Sequence, residues 1–99
     1  MIRGTTPTHT FVFPLDGSEY SAIYVTYVQK GTTVLEKTEE DMTFDGNVGS
    51  YTLTQTETLA FSPDNPVEIQ VRAKTTGGAA MASAVVTIPV GDILKAGVI

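Results

Sequence analysis

The sequence predicts an all-β fold: an immunoglobulin-like β-sandwich of about seven strands with Greek-key connections. Three observations carry that expectation. Val67-Glu68-Ile69-Gln70-Val71-Arg72-Ala73-Lys74 alternates apolar and polar residues, which puts Val67, Ile69, Val71 and Ala73 on one face of a pleated strand. Short β-rich runs bounded by turn residues recur at roughly 8–12-residue spacing. No helical pattern of roughly 10–15 residues lies between them, which argues against βαβ units. An open barrel is the alternative. The immunoglobulin disulfide and core Trp are both missing, since the chain has neither Cys nor Trp.

In chain order, Met1–Thr8 reads as an extended arm, because Gly4, Pro7 and several threonines disfavour a helix. His9–Leu15 is the first strand, with Pro14 marking an edge or strand end. Asp16-Gly17-Ser18 is a turn. Tyr20–Gln29 is the richest β segment, with Ile23, Val25 and Tyr27 on one face and Tyr24, Thr26 and Val28 on the other. Two semi-apolar faces predict a central strand. Lys30-Gly31 turns the chain into a strand over Thr33–Lys37, and Glu39-Glu40-Asp41 forms a charged corner. Asp45-Gly46-Asn47 then predicts a type I′ hairpin between Met42–Phe44 and Val48–Thr54.

Thr54-Gln55-Thr56-Glu57 fits a capping box, and Ser62–Pro66 limits the helix that follows to one or two turns. Such a turn would carry the chain from one sheet to the other. Val67–Lys74, the turn at Thr75–Gly78 and a return through Ala84–Val90 form the most strongly patterned hairpin. Ala79–Ala82 has little bulk and reads as a loose or edge segment open to another backbone. The organisation expected is an arm over residues 1–8, a sandwich over 9–90 and a C-terminal tail over 91–99.

Composition narrows the function classes. A chain of 99 residues is one domain, near the size at which a single core suffices. The formal charge of −5 and six scattered basic residues argue against binding a phosphate backbone. Without Cys there is no thiol nucleophile and no thiolate ligand. The opening residues resemble no signal peptide and no segment is long enough to span a bilayer, so we expect synthesis in the cytoplasm and no membrane partner.

Few residues invite a chemical reading. His9 is the only imidazole, and no nucleophile or carboxylate is tied to it by spacing. Glu39-Glu40-Asp41 lacks the spaced ligands of a calcium loop. Asp45-Gly46-Asn47 and Asp64-Asn65 are turn chemistry. Gly77-Gly78 precedes no helix that could receive a phosphate. No catalytic residue, cofactor or metal is therefore expected. Tyr20, Tyr24 and Tyr27 would form a ligand platform if two of them were exposed together.

Three stretches carry a resemblance: Met1–Phe11 (MIRGTTPTHTF), Leu53–Phe61 (LTQTETLAF), and Val67–Thr75 (VEIQVRAKT) with Gly77-Gly78 after it. Together they make the chain similar, over nearly its whole length, to a family of small proteins encoded in phages and prophages of Firmicutes. The resemblance implies a virion component without a catalytic motif. On this basis the expected function is a structural part of a tailed-phage particle, in head, neck, tail or baseplate. It would be made in the bacterial host and would bind other virion proteins or copies of itself, as an assembly-dependent oligomer. Assembly contacts are expected from Ile2, Arg3, Thr5, Thr6 and Pro7 in the arm, from Ile93, Leu94, Val98 and Ile99 in the tail, and at free sheet edges. The alternative is a receptor- or carbohydrate-binding module using Tyr20, Tyr24 and Tyr27.

Overall fold

Tyr20–Gln29 organises the molecule, as its apolar faces require. The computed structural model describes residues 1–99. Its strands are β1 (Thr8–Val12), β2 (Tyr20–Gln29), β3 (Thr32–Thr38), β4 (Thr43–Asp45), β5 (Val48–Thr52), β6 (Val67–Thr75), β7 (Ala80–Ala82) and β8 (Val86–Ile88), with one short helix, α1 (Gln55–Leu59). They form two antiparallel sheets. The larger has the order β3-β2-β6-β7, with β8 also paired to β6, and the smaller is β1-β5-β4. The count is eight, not seven, because the return strand after β6 is broken at Ser83–Val85. There the Val71 amide donates to Ser83 Oγ (3.0 Å), so a side-chain hydroxyl stands in for a ladder carbonyl.

The chain crosses between sheets three times, each time through a helical turn. Gly17–Glu19 joins β1 to β2, Glu39–Asp41 joins β3 to β4, and α1 joins β5 to β6. Each turn is held by a side-chain hydrogen bond to a backbone amide. Asp16 Oδ1 accepts from the Ser18 amide (3.0 Å), and Asp41 Oδ2 accepts from the Thr38 amide (2.9 Å). At α1 the predicted capping box is complete: Glu57 N donates to Thr54 Oγ1, and Thr54 N donates to Glu57 Oε1.

The hairpin turns differ from expectation in one respect. Both central residues of the β2–β3 turn have positive φ (Lys30 +49°, Gly31 +75°), which is the type I′ pattern. In the β4–β5 turn only Gly46 does (+59°), because Gly46 and Asn47 are the central pair; that is the type II′ pattern.

The inner faces meet in a core of Phe13, Tyr20, Ile23, Val25, Tyr27, Tyr51, Leu53, Phe61, Val67, Ile69, Ala73 and Val90. Buried side-chain nitrogen and oxygen atoms are all partnered. Gln29, for example, donates to the Ser62 and Asn65 carbonyls and accepts from the Ser62 amide, pinning that loop to the end of β2.

Candidate functional site

The N-terminal segment is not a free arm. Ile2 forms a parallel bridge with Gly91, and the Leu53 amide donates to the Pro7 carbonyl. Thr58, fully buried, donates from Oγ1 to the Thr5 carbonyl (2.8 Å). The Arg3 guanidinium donates to the Phe61 carbonyl (2.7 Å), the Leu59 carbonyl (3.0 Å) and Asp92 Oδ1 (2.6 Å). A cation at the end of α1 also complements the partial negative charge of its last carbonyls. Thr5 Oγ1 turns back to the Ile2 carbonyl. Ile2, Arg3, Thr5 and Pro7 therefore have intramolecular partners; Thr6 is exposed.

The tail divides at Ile93. Ile93 is half-buried with its Cδ1 against Gly4, whereas Leu94, Val98 and Ile99 are exposed. Residues 94–98 make no hydrogen bond to the rest of the molecule, and Ile99 is held only through the side chain of Gln55.

The tyrosine platform does not form. Tyr27 is fully buried and Tyr20 nearly so, which leaves Tyr24 exposed alone. A β-bulge between Tyr20 and Ala22 breaks the alternation and turns Tyr20 into the core.

A polar cluster of aromatic side chains lies between the sheets. His9 and Tyr51 are cross-strand partners on β1 and β5, and Tyr27 reaches them from β2. His9 Nδ1 is 2.6 Å from the Tyr27 hydroxyl, which is 2.5 Å from the Tyr51 hydroxyl. Lys37 pairs with Glu57 nearby and sits over the Tyr51 ring. Burial pushes the Tyr27 hydroxyl up to about 12, and burial together with the Tyr27 hydroxyl raises Tyr51 as well. Burial raises the Glu57 carboxyl, but hydrogen bonds from Lys37 and the Thr54 amide outweigh it and leave the group low. Burial lowers His9, and the Met1 ammonium adds to that. The imidazole is partnered by a phenol, not by a carboxylate or nucleophile, so the cluster ties the sheets together.

That arrangement sets an acid dependence. The unfolded His9 titrates near 6.5 and the folded one below it. Between those values the unfolded chain binds more protons, so stability is full above 6.5 and falls as pH drops through the window. Urea midpoints at about pH 7.5 and about pH 5.5 should fall for the wild type and much less for His9→Gln. An equal fall in both proteins would contradict this.

The acidic corner is also structural. Glu39 Oε2 accepts from the Ile23 amide and Asp41 caps its turn. No group of three or more His, Asp or Glu side chains is placed to hold a metal ion.

What remains is a groove of about 790 Å³ between β1 and the β6–β7–β8 side of the larger sheet. It arises because the smaller sheet ends at β1 while the larger continues outward past β6. Val86 pairs with buried Ile69 and Met81 pairs with buried Ala73, so both occupy core-facing positions. Yet Val86 is 56% exposed. None of the groove's 13 lining residues is charged. The alanine-rich stretch Ala79–Ala82 hints at this place from sequence, but nothing local hints at its missing cover. Comparison with protein-family models, curated proteins and solved structures yields no match.

Proposed function

We propose that this chain is a non-enzymatic structural component of a tailed-phage particle, in head, neck, tail or baseplate, acting through protein–protein contacts. The observation that carries this reading is the uncovered groove beside the free edge of β1. An unpaired strand over an apolar floor is the geometry that accepts an extended segment from a neighbour, with main-chain hydrogen bonds for affinity and alternate side chains for fit. The resemblance of Met1–Phe11, Leu53–Phe61 and Val67–Thr75 with Gly77-Gly78 to phage and prophage proteins supplies the setting. The absence of charge in the groove favours a protein partner over nucleic acid, and no helix is long and apolar enough to cross a membrane. We read the two sheets, with their three crossings, as an immunoglobulin-like sandwich. The protein would be made in the bacterial host and act in the virion, bound to other virion proteins or to itself.

A charge in the groove tests the reading. Val86→Asp should leave the far-ultraviolet spectrum unchanged, because the position is half-exposed, and should reduce recovery with purified particles at least tenfold. Normal recovery of a folded Val86→Asp protein would remove the groove from the account.

A further inference from the structure

Resting on the reading just given, we infer that the groove is filled by residues 94–99 of a second copy, added as a strand at the free edge of β1. Donor and acceptor are both present in one chain: residues 94–98 make no hydrogen bond to the rest of the molecule, and β1 is an edge strand. Of nine exposed large hydrophobic residues, Val12 and Val86 line the groove and Leu94, Val98 and Ile99 lie in the tail. The tail has the pattern such a strand needs. Period two places Leu94, Ala96 and Val98 toward the apolar floor and Lys95, Gly97 and Ile99 toward solvent. It contains no proline to interrupt pairing. Six extended residues span roughly 20 Å, slightly more than the roughly 17 Å of five-residue β1.

Few contacts need to break for the tail to leave, since only the side chain of Gln55 hydrogen-bonds to it beyond Ile93. The charge balance agrees: a groove without charged residues receives a segment whose inward side chains are all uncharged. Full burial of Val12, Val86, Leu94 and Val98, the four exposed side chains that line the groove or face its floor, corresponds to roughly 300 Å² of apolar surface. The half-buried floor residues Phe11, Val71 and Met81 and the added strand's backbone extend the contact toward the roughly 1,000 Å² of a specific interface. Because donor and acceptor surfaces differ, the contact is head-to-tail, and copies joined this way close into a ring or run on as an open chain.

The chain has no cysteine, which permits a clean test. Val86→Cys and Val98→Cys are made as separate proteins, mixed, and oxidised mildly; Lys30→Cys, in the β2–β3 turn, replaces Val86→Cys as the control. The mixed disulfide joining position 86 of one copy to position 98 of another should form at least tenfold faster than that of the control pair. Adding Leu94→Asp to the Val98→Cys protein should abolish the excess. Equal rates for the two pairs, or an excess that survives Leu94→Asp, would overturn tail exchange. Particle recovery of wild type and Val86→Asp reads the broader proposal separately: equal cross-linking rates together with loss of Val86→Asp from particles would mean that the groove holds another virion protein.

Discussion

Phe61→Ala is expected to cost about 3–5 kcal/mol of folding stability, the range for removing a large buried aromatic side chain. Phe61 is 1% exposed and meets the Tyr27 ring edge-on, with centroids 5.8 Å apart. It follows α1, at the point where the chain leaves the smaller sheet for the larger. Its backbone carbonyl also accepts from Arg3, so the ring lies beneath the junction that holds the N-terminal segment in place. A domain of this size has roughly 5–15 kcal/mol in total. The variant should therefore show a large fall in urea midpoint, and in the less stable case a measurable unfolded population without denaturant. A cost below about 1 kcal/mol would mean that the two sheets do not close over this residue.

Tyr27→Phe is expected to cost about 2–3 kcal/mol, and Tyr51→Phe about half as much. The ring and its packing survive in both, so the difference reads hydrogen bonding alone. The Tyr27 hydroxyl sits between His9 Nδ1 and the Tyr51 hydroxyl, so its removal strands two partners. Removing the Tyr51 hydroxyl leaves Tyr27 still paired with His9. Urea denaturation of the two variants side by side decides the matter. Equal costs, or a larger cost for Tyr51→Phe, would contradict a chain of hydrogen bonds centred on Tyr27.

The parts of this fold that were legible in the sequence are those encoded locally. The Thr54–Glu57 capping box is four residues long and forms both of its reciprocal bonds. The alternation in Val67–Lys74 places Val67, Ile69 and Ala73 in the core as its period requires. The same rule groups Tyr27 with Ile23 and Val25 on one face of β2, and it is this face that the smaller sheet covers. Tyr20 was not legible on that face, because the bulge at Tyr20–Ala22 shifts its parity, and nothing in Tyr-Ser-Ala announces a bulge. The type of the β4–β5 turn was hidden for a related reason: register decides which two residues occupy a turn, and register is set by the pairing strands.

The features that bear on function were the least legible. Ile2 meets Gly91, and Arg3 meets Asp92, across most of the chain's length, so a segment that reads as a loose arm is part of the domain. Val86 lies within an apolar run and reads as core; that it is uncovered depends on how many strands each sheet has. The widths of two stacked sheets emerge from all of the pairings together. The exposed apolar tail was visible as composition, and its few tethers only as geometry.

The central claim is that this chain is part of a particle. Quantitative mass spectrometry of purified intact particles, alongside a lysate of the producing cells, tests it most directly. The account predicts that the chain co-purifies with particles at a fixed ratio to the major capsid protein. A chain present in the lysate but absent from the particles would contradict it.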